Sequence, residues 1–92
     1  MQFRKELRPR VQSGEITLSV RIWQSPRVKV GGRYRLGDGA VEIEEVREIG
    51  LDAVSPEMAR ESGFEGLVDL FKTAKHGAGN RVFVVRFHYV PN

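Results

Sequence analysis

Three features of this 92-residue chain predict an α+β fold: a small, mostly antiparallel β-barrel with helices packed on one side. The first is strict alternation. Ile16, Leu18, Val20 and Ile22 are apolar, and Thr17, Ser19, Arg21 and Trp23 stand between them. Alternation at period two marks a strand with one buried face. The second is grouping. Two helical segments fall together between residues 55 and 76, and such a block argues against a parallel βαβ sheet. The third is a long final strand, Arg81 to Val90. It puts Phe83, Val85, Phe87 and Tyr89 on one face, and Val82, Val84, Arg86, His88 and Val90 on the other.

Each element follows from local chemistry. Phe3, Leu7 and Val11 recur every fourth residue, and Ser13-Gly14 ends that run as a helix C-terminus. Pro9 either sits in the first turn of a shorter helix or kinks a longer one. The first strand runs from about Ile16 to Trp23, and Ser25-Pro26 breaks it. Arg27-Val28-Lys29-Val30 is a loop or short strand leading to Gly31-Gly32. Arg33 to Leu36 reads as a strand, and Gly37-Asp38-Gly39 as a hairpin turn. Ala40 to Ile49 is the next strand. Its apolar parity switches between Ile43 and Val46, so a bulge is expected near Glu44-Glu45. Ser55-Pro56 pairs a capping hydroxyl with a proline at the first helical position, and this helix ends at Gly63. Leu67, Leu70, Phe71 and Ala74 space a second helix, which Gly77 to Gly79 stops.

The length predicts one domain, residues 1–92, with one modest core and no room for a large active-site cavity. No apolar run is long enough to cross a bilayer, and no signal peptide is present, so a cytoplasmic location without membrane association is expected. The absence of cysteine excludes disulfides and thiolate chemistry. Fifteen Lys and Arg against twelve Asp and Glu give a net charge of +3. Most of the basic residues are arginine, whose planar fork pairs with phosphate and stacks on bases. A GC-rich genome would produce the same bias.

Few residues are arranged for catalysis. His76 and His88 lack partners at ligand spacing, so neither a metal nor any other cofactor is expected. No serine sits in a nucleophile elbow, and the Gly31-Gly32 and Gly37-Asp38-Gly39 segments lack the lysine and helix start of a phosphate loop. The run Glu42, Glu44, Glu45 and Glu48 reads as a solvated strand edge. Lys72, Lys75 and His76 complement a helix C-terminus. What remains is a candidate binding set. Thr17, Ser19, Arg21 and Trp23 form one polar row. Arg21 suits a phosphate or a guanine edge, or a salt bridge to a glutamate. Trp23 suits base stacking or core packing. Arg27 and Lys29 suit phosphate contacts from a loop. Arg86 and His88 break an apolar strand face and would meet the first row across a cleft.

The chain also resembles the ASCH domains, relatives of the PUA RNA-binding domains. Gly14, Ser19 and Arg21 fall on the Gly, Thr and Arg of that family's G-x-K-x-x-T-x-R signature, with Ile16 at the lysine. Val30 to Leu36 is similar to its strand entry, Ala59 to Phe64 to its A-x-x-E-G-F helix end, and Arg81 to Phe87 to its closing strand. The resemblance implies one PUA-like barrel that binds RNA or a nucleotide-like ligand. One branch hydrolyses acetylated cytidine with the motif lysine, its neighbouring threonine and a helix-end glutamate. Those positions here hold Ile16, Ser19 and Ser62, with Glu61 one residue away. Isoleucine is neither base nor nucleophile. A non-catalytic binding domain with a basic cleft beside its first strand is therefore expected. Two other readings stay open: an amidohydrolase or RNA-cleaving enzyme in which Lys29 or His88 replaces the lysine, and a protein-interaction module.

Overall fold

The N-terminal apolar run begins as a 3₁₀ turn, Lys5–Leu7, and continues as α1, Arg8–Gln12. Pro9 lies in the first turn of α1, where its missing N–H costs nothing. In the computed structural model, which describes residues 1–74 and 79–92, four strands follow: β1 (Leu18–Trp23), β2 (Arg33–Leu36), β3 (Gly39–Ile49) and β4 (Arg81–Val90). Between β3 and β4 come a 3₁₀ turn, Leu51–Ala53, and two helices, α2 (Pro56–Glu61) and α3 (Leu67–Ala74). The expected helix stop at Gly77 and the cations Lys75 and His76 lie outside the described residues.

The strands form one antiparallel sheet in the order β1-β4-β3-β2. It curls into a half-barrel and does not close, because β1 and β2 are its two edges. The segment between them runs as a loop. Pro26 within it has no N–H to give a ladder, and Val28 inserts into the core.

The parity switch in β3 is a bulge: Ile43 faces Phe87, and Glu45 already faces Arg86. The extra residue keeps Val41, Ile43 and Val46 on the face of Phe83, Val85 and Phe87. It gathers Glu42, Glu44 and Glu45 on the other face with Arg86 and His88.

The apolar residues expected inside are inside. Ile16, Leu18, Val20, Ile22, Phe83, Val85 and Phe87 are all buried. The expectation that β1 buries one face only is corrected, since Ser19 and Trp23 are buried as well. Helices α2 and α3 pack against β1, and both faces of this edge strand are largely buried.

Two caps set the path into the site. Ser55 Oγ accepts the Met58 N–H at 3.2 Å and starts α2. At its end, the Gly63 N–H reaches the Arg60 carbonyl at 3.0 Å and the Phe64 N–H the Ala59 carbonyl at 2.9 Å. This Schellman pair needs a left-handed residue, and Gly63 supplies it with φ 93°. A side chain at Gly63 would collide with Leu7 and Ile16, so α2 ends tightly against the N-terminal segment and the entry to β1.

Candidate functional site: a guanidinium without a carboxylate

The end of α2, the strand β1, the helix α3 and the segment Gln2–Arg4 enclose a cavity of about 210 Å³. Phe3, Leu7 and Phe64 give it apolar walls. Ser19, Ser62 and Thr73 give it hydroxyls, and Arg4 and Arg21 give it guanidinium groups. No carboxylate among the described residues lines it.

Arg21 is the centre of this arrangement. Its guanidinium is half-buried and lies over the Phe3 ring, 5.1 Å from the centroid. Its Nε–H donates to Ser19 Oγ at 2.7 Å, and an Nη–H donates to the Gln2 carbonyl. Five N–H groups are available on a guanidinium, so most of its donors have no protein acceptor among the described residues. It pairs with no carboxylate among those residues either. Burial alone pulls its pKa down to about 10, which leaves it charged at neutral pH. Burying a cation without a counter-charge is unfavourable, and an anionic ligand would relieve it.

Two further groups complete the site. Arg4 donates to Thr73 Oγ1 at 3.3 Å, lies 3.6 Å from Asp69 and sits over the Phe64 ring at 5.0 Å. Ser62 is 3% exposed, and its hydroxyl has no hydrogen-bond partner among the described residues. A buried hydroxyl of this kind calls for a partner, and the cavity is where one would enter.

Some residues expected at the site are brought together and others are not. Ser19 and Arg21 meet in the cavity. Arg27 lies beside them, since it and Arg21 share a second hollow. Thr17 is exposed just before β1, and its carbonyl accepts the Phe87 N–H at 3.1 Å. Trp23 is corrected from a stacking surface to a core residue: it is 4% exposed and packs on Phe83 with centroids 5.8 Å apart. Lys29 is exposed in the loop, where its backbone N–H donates to Tyr34 Oη at 3.2 Å. It lines neither hollow.

Arg86 and His88 are also corrected. Arg86 pairs across the ladder with Leu18, so it lies on the sheet face opposite Arg21 and Ser19. It sits 3.6 Å from Glu45. His88 Nδ1 contacts Glu44, and its Nε2 lies 3.7 Å from Glu42. Opposite-parity residues of one sheet cannot share a cleft. Both side chains instead face the acidic run the bulge collects.

Gln2, Arg4, Ser62, Phe64 and Thr73 were not among the residues expected at the site. Nothing in their spacing marks Gln2, Arg4 or Thr73, which tertiary packing brings in. Ser62 and Phe64 carried a signal in the helix-end motif. Among the described residues, no group of three or more His, Asp or Glu side chains is placed to hold a metal ion. No helix among them is long and apolar enough to cross a membrane. No protein-family model, no curated protein and no solved structure matches this chain.

Proposed function

We propose that this chain is an ASCH-like, PUA-related domain that binds RNA or a nucleotide-like ligand in the cleft around Arg21 and does not hydrolyse it. The observation that carries this reading is the half-buried Arg21 guanidinium, which has free donors and no carboxylate partner among the described residues. The position of the resemblance motifs supports it further. Ser19 and Arg21 from the strand signature line the same cavity as Ser62 and Phe64 from the helix-end signature. About 210 Å³ is smaller than the ~300–1,000 Å³ of sites for drug-sized ligands. It suits one base or a similar planar group held by aromatic walls and guanidinium groups.

The enzyme reading loses support from the same geometry. Ile16, at the motif lysine, is 2% exposed and part of the core. Lys29 and His88, the candidates to replace that lysine, line no part of the cavity.

Titration with single-stranded RNA at low and moderate salt tests the proposal. Binding should weaken as salt rises, because phosphate contacts release counterions. Arg21→Ala should weaken it by ~1–3 kcal/mol. Arg21→Lys should restore part of the loss, since it keeps the charge but not the fork. Unchanged affinity in a folded Arg21→Ala variant removes Arg21 from the site. Absence of binding to any RNA or nucleotide at low salt ends the proposal.

A further inference from the structure

Arg21 faces two hollows, and their linings differ in kind. The first is the cavity already described, with two phenyl rings and three hydroxyls, one of them the orphan Ser62 Oγ. The second, about 370 Å³, is walled by Arg21, Arg27, Trp23 and Val28 and by the first two residues of the chain. Among the described residues it is lined by no aromatic ring other than Trp23, no serine or threonine and no carboxylate. Arg27 is exposed and makes no ion pair among the described residues.

Two guanidinium groups without a carboxylate around one hollow make a site for an anion with several oxygens. A phosphate monoester, with its near-double charge, fits such a pair better than a carboxylate or a neutral group. The aromatic, hydroxyl-lined hollow is lined by the same Arg21.

From this we infer that the site is divided. The planar part of the ligand enters the Phe64–Ser62 side, and a terminal phosphate monoester sits between Arg21 and Arg27. This inference rests on the nucleotide-binding reading above and adds the phosphate requirement to it. The preferred ligand is then a nucleoside monophosphate or the phosphorylated end of an RNA strand, in preference to an unphosphorylated nucleoside or an internal stretch of chain. Arg27 reads the phosphate, and Arg21 touches both parts.

Calorimetric titration of the full chain with the four nucleosides and their 5′- and 3′-monophosphates tests this. Some monophosphate should bind at least about tenfold more tightly than its nucleoside, as expected for one charge-assisted contact. Arg27→Gln should reduce that ratio to about twofold and leave nucleoside affinity nearly unchanged. Arg27 is an exposed loop residue, so the variant should fold as the parent does. Arg21→Gln should weaken both ligands. Short RNAs with and without a terminal phosphate separate the two sources. A preference confined to mononucleotides assigns the site to free nucleotide, and a matching preference in the RNAs assigns it to strand ends. Equal affinity for nucleoside and monophosphate overturns the divided site and leaves the nucleotide-binding reading intact. So does an Arg27→Gln effect that is the same on both ligands. If neither nucleosides, monophosphates nor RNAs bind, both fall together.

Discussion

Replacing Arg21 by methionine should cost this protein little stability, although Arg21 is a half-buried charged residue on a covered strand. Burial holds its pKa near 10, well under the usual arginine value. At about 1.4 kcal/mol per pKa unit, keeping that guanidinium charged costs on the order of 3 kcal/mol, an upper figure because part of the group still meets solvent. Against this stand two hydrogen bonds, to Ser19 Oγ and the Gln2 carbonyl, and the contact with the Phe3 ring. At the low end that suits such partly exposed contacts, these are worth roughly 3–4 kcal/mol together. Arg21→Met alone leaves Ser19 Oγ without its donor, which adds about 1 kcal/mol. In the double variant Arg21→Met/Ser19→Ala both partners go, and the opposing contributions nearly cancel. Urea denaturation should place the double variant within ~1 kcal/mol of the parent, while nucleotide affinity is lost. An arginine kept for structure behaves differently, because truncating one partner of a buried ion pair costs ~3–5 kcal/mol. A loss of that size in the double variant would refute the reasoning and make Arg21 a structural group.

Three other outcomes are expected. Gly63→Ala should destabilise by about 2–4 kcal/mol in thermal melts, since its φ of 93° disfavours an L side chain and the new Cβ would lie 2.7–2.8 Å from Leu7 and Ile16. Trp23→Ala should cost ~3–5 kcal/mol, whereas Trp23→Phe should fold and bind RNA within about twofold of the parent in filter binding; a tenfold loss would return Trp23 to the binding surface. Arg81 hydrogen-bonds Glu48 and lowers its pKa, so that pair's contribution is present above the ordinary carboxylate range and fades as pH falls through the lowered value. Melting curves of Glu48→Gln should therefore depend less on pH than the parent's below about pH 4, and both should converge at high salt.

Much of this architecture was legible because it is governed by local rules. The hydroxyl–proline pair at Ser55-Pro56, the glycine at Gly63 and the 3.6-residue spacing from Leu67 each determine something within one turn of chain. The parity switch after Ile43 revealed the bulge for the same reason. The cleft was legible only in part. Alternation identified Ser19 and Arg21 as a pair, but it cannot say whether the second face of a strand meets water or a helix. Here the N-terminal segment lies over Arg21, and Trp23 goes into the core. Arg86 and His88 were misplaced because a cleft was inferred from charge, and sheet register overrides charge. Gln2, Arg4 and Thr73 were invisible because what joins them is proximity in space: Arg4 and Thr73, which hydrogen-bond, are 69 residues apart along the chain.

The ladder between β1 and β4 joins Leu18 to Arg86 and Trp23 to Arg81. β3 and β2 lie next to each other in sequence and can form their hairpin early, whereas β1 has no strand partner until β4 exists. Closing so long a loop is entropically costly and slow. While the chain is being synthesised, β1 therefore emerges early as a strand apolar on one face, and it waits through more than fifty residues of translation. During that interval it is the segment most exposed to wrong pairing or capture by a chaperone. The arginine fork takes its place only when the closing strand arrives, so a chain released before residue 81 would carry every cleft residue named above and have no cleft.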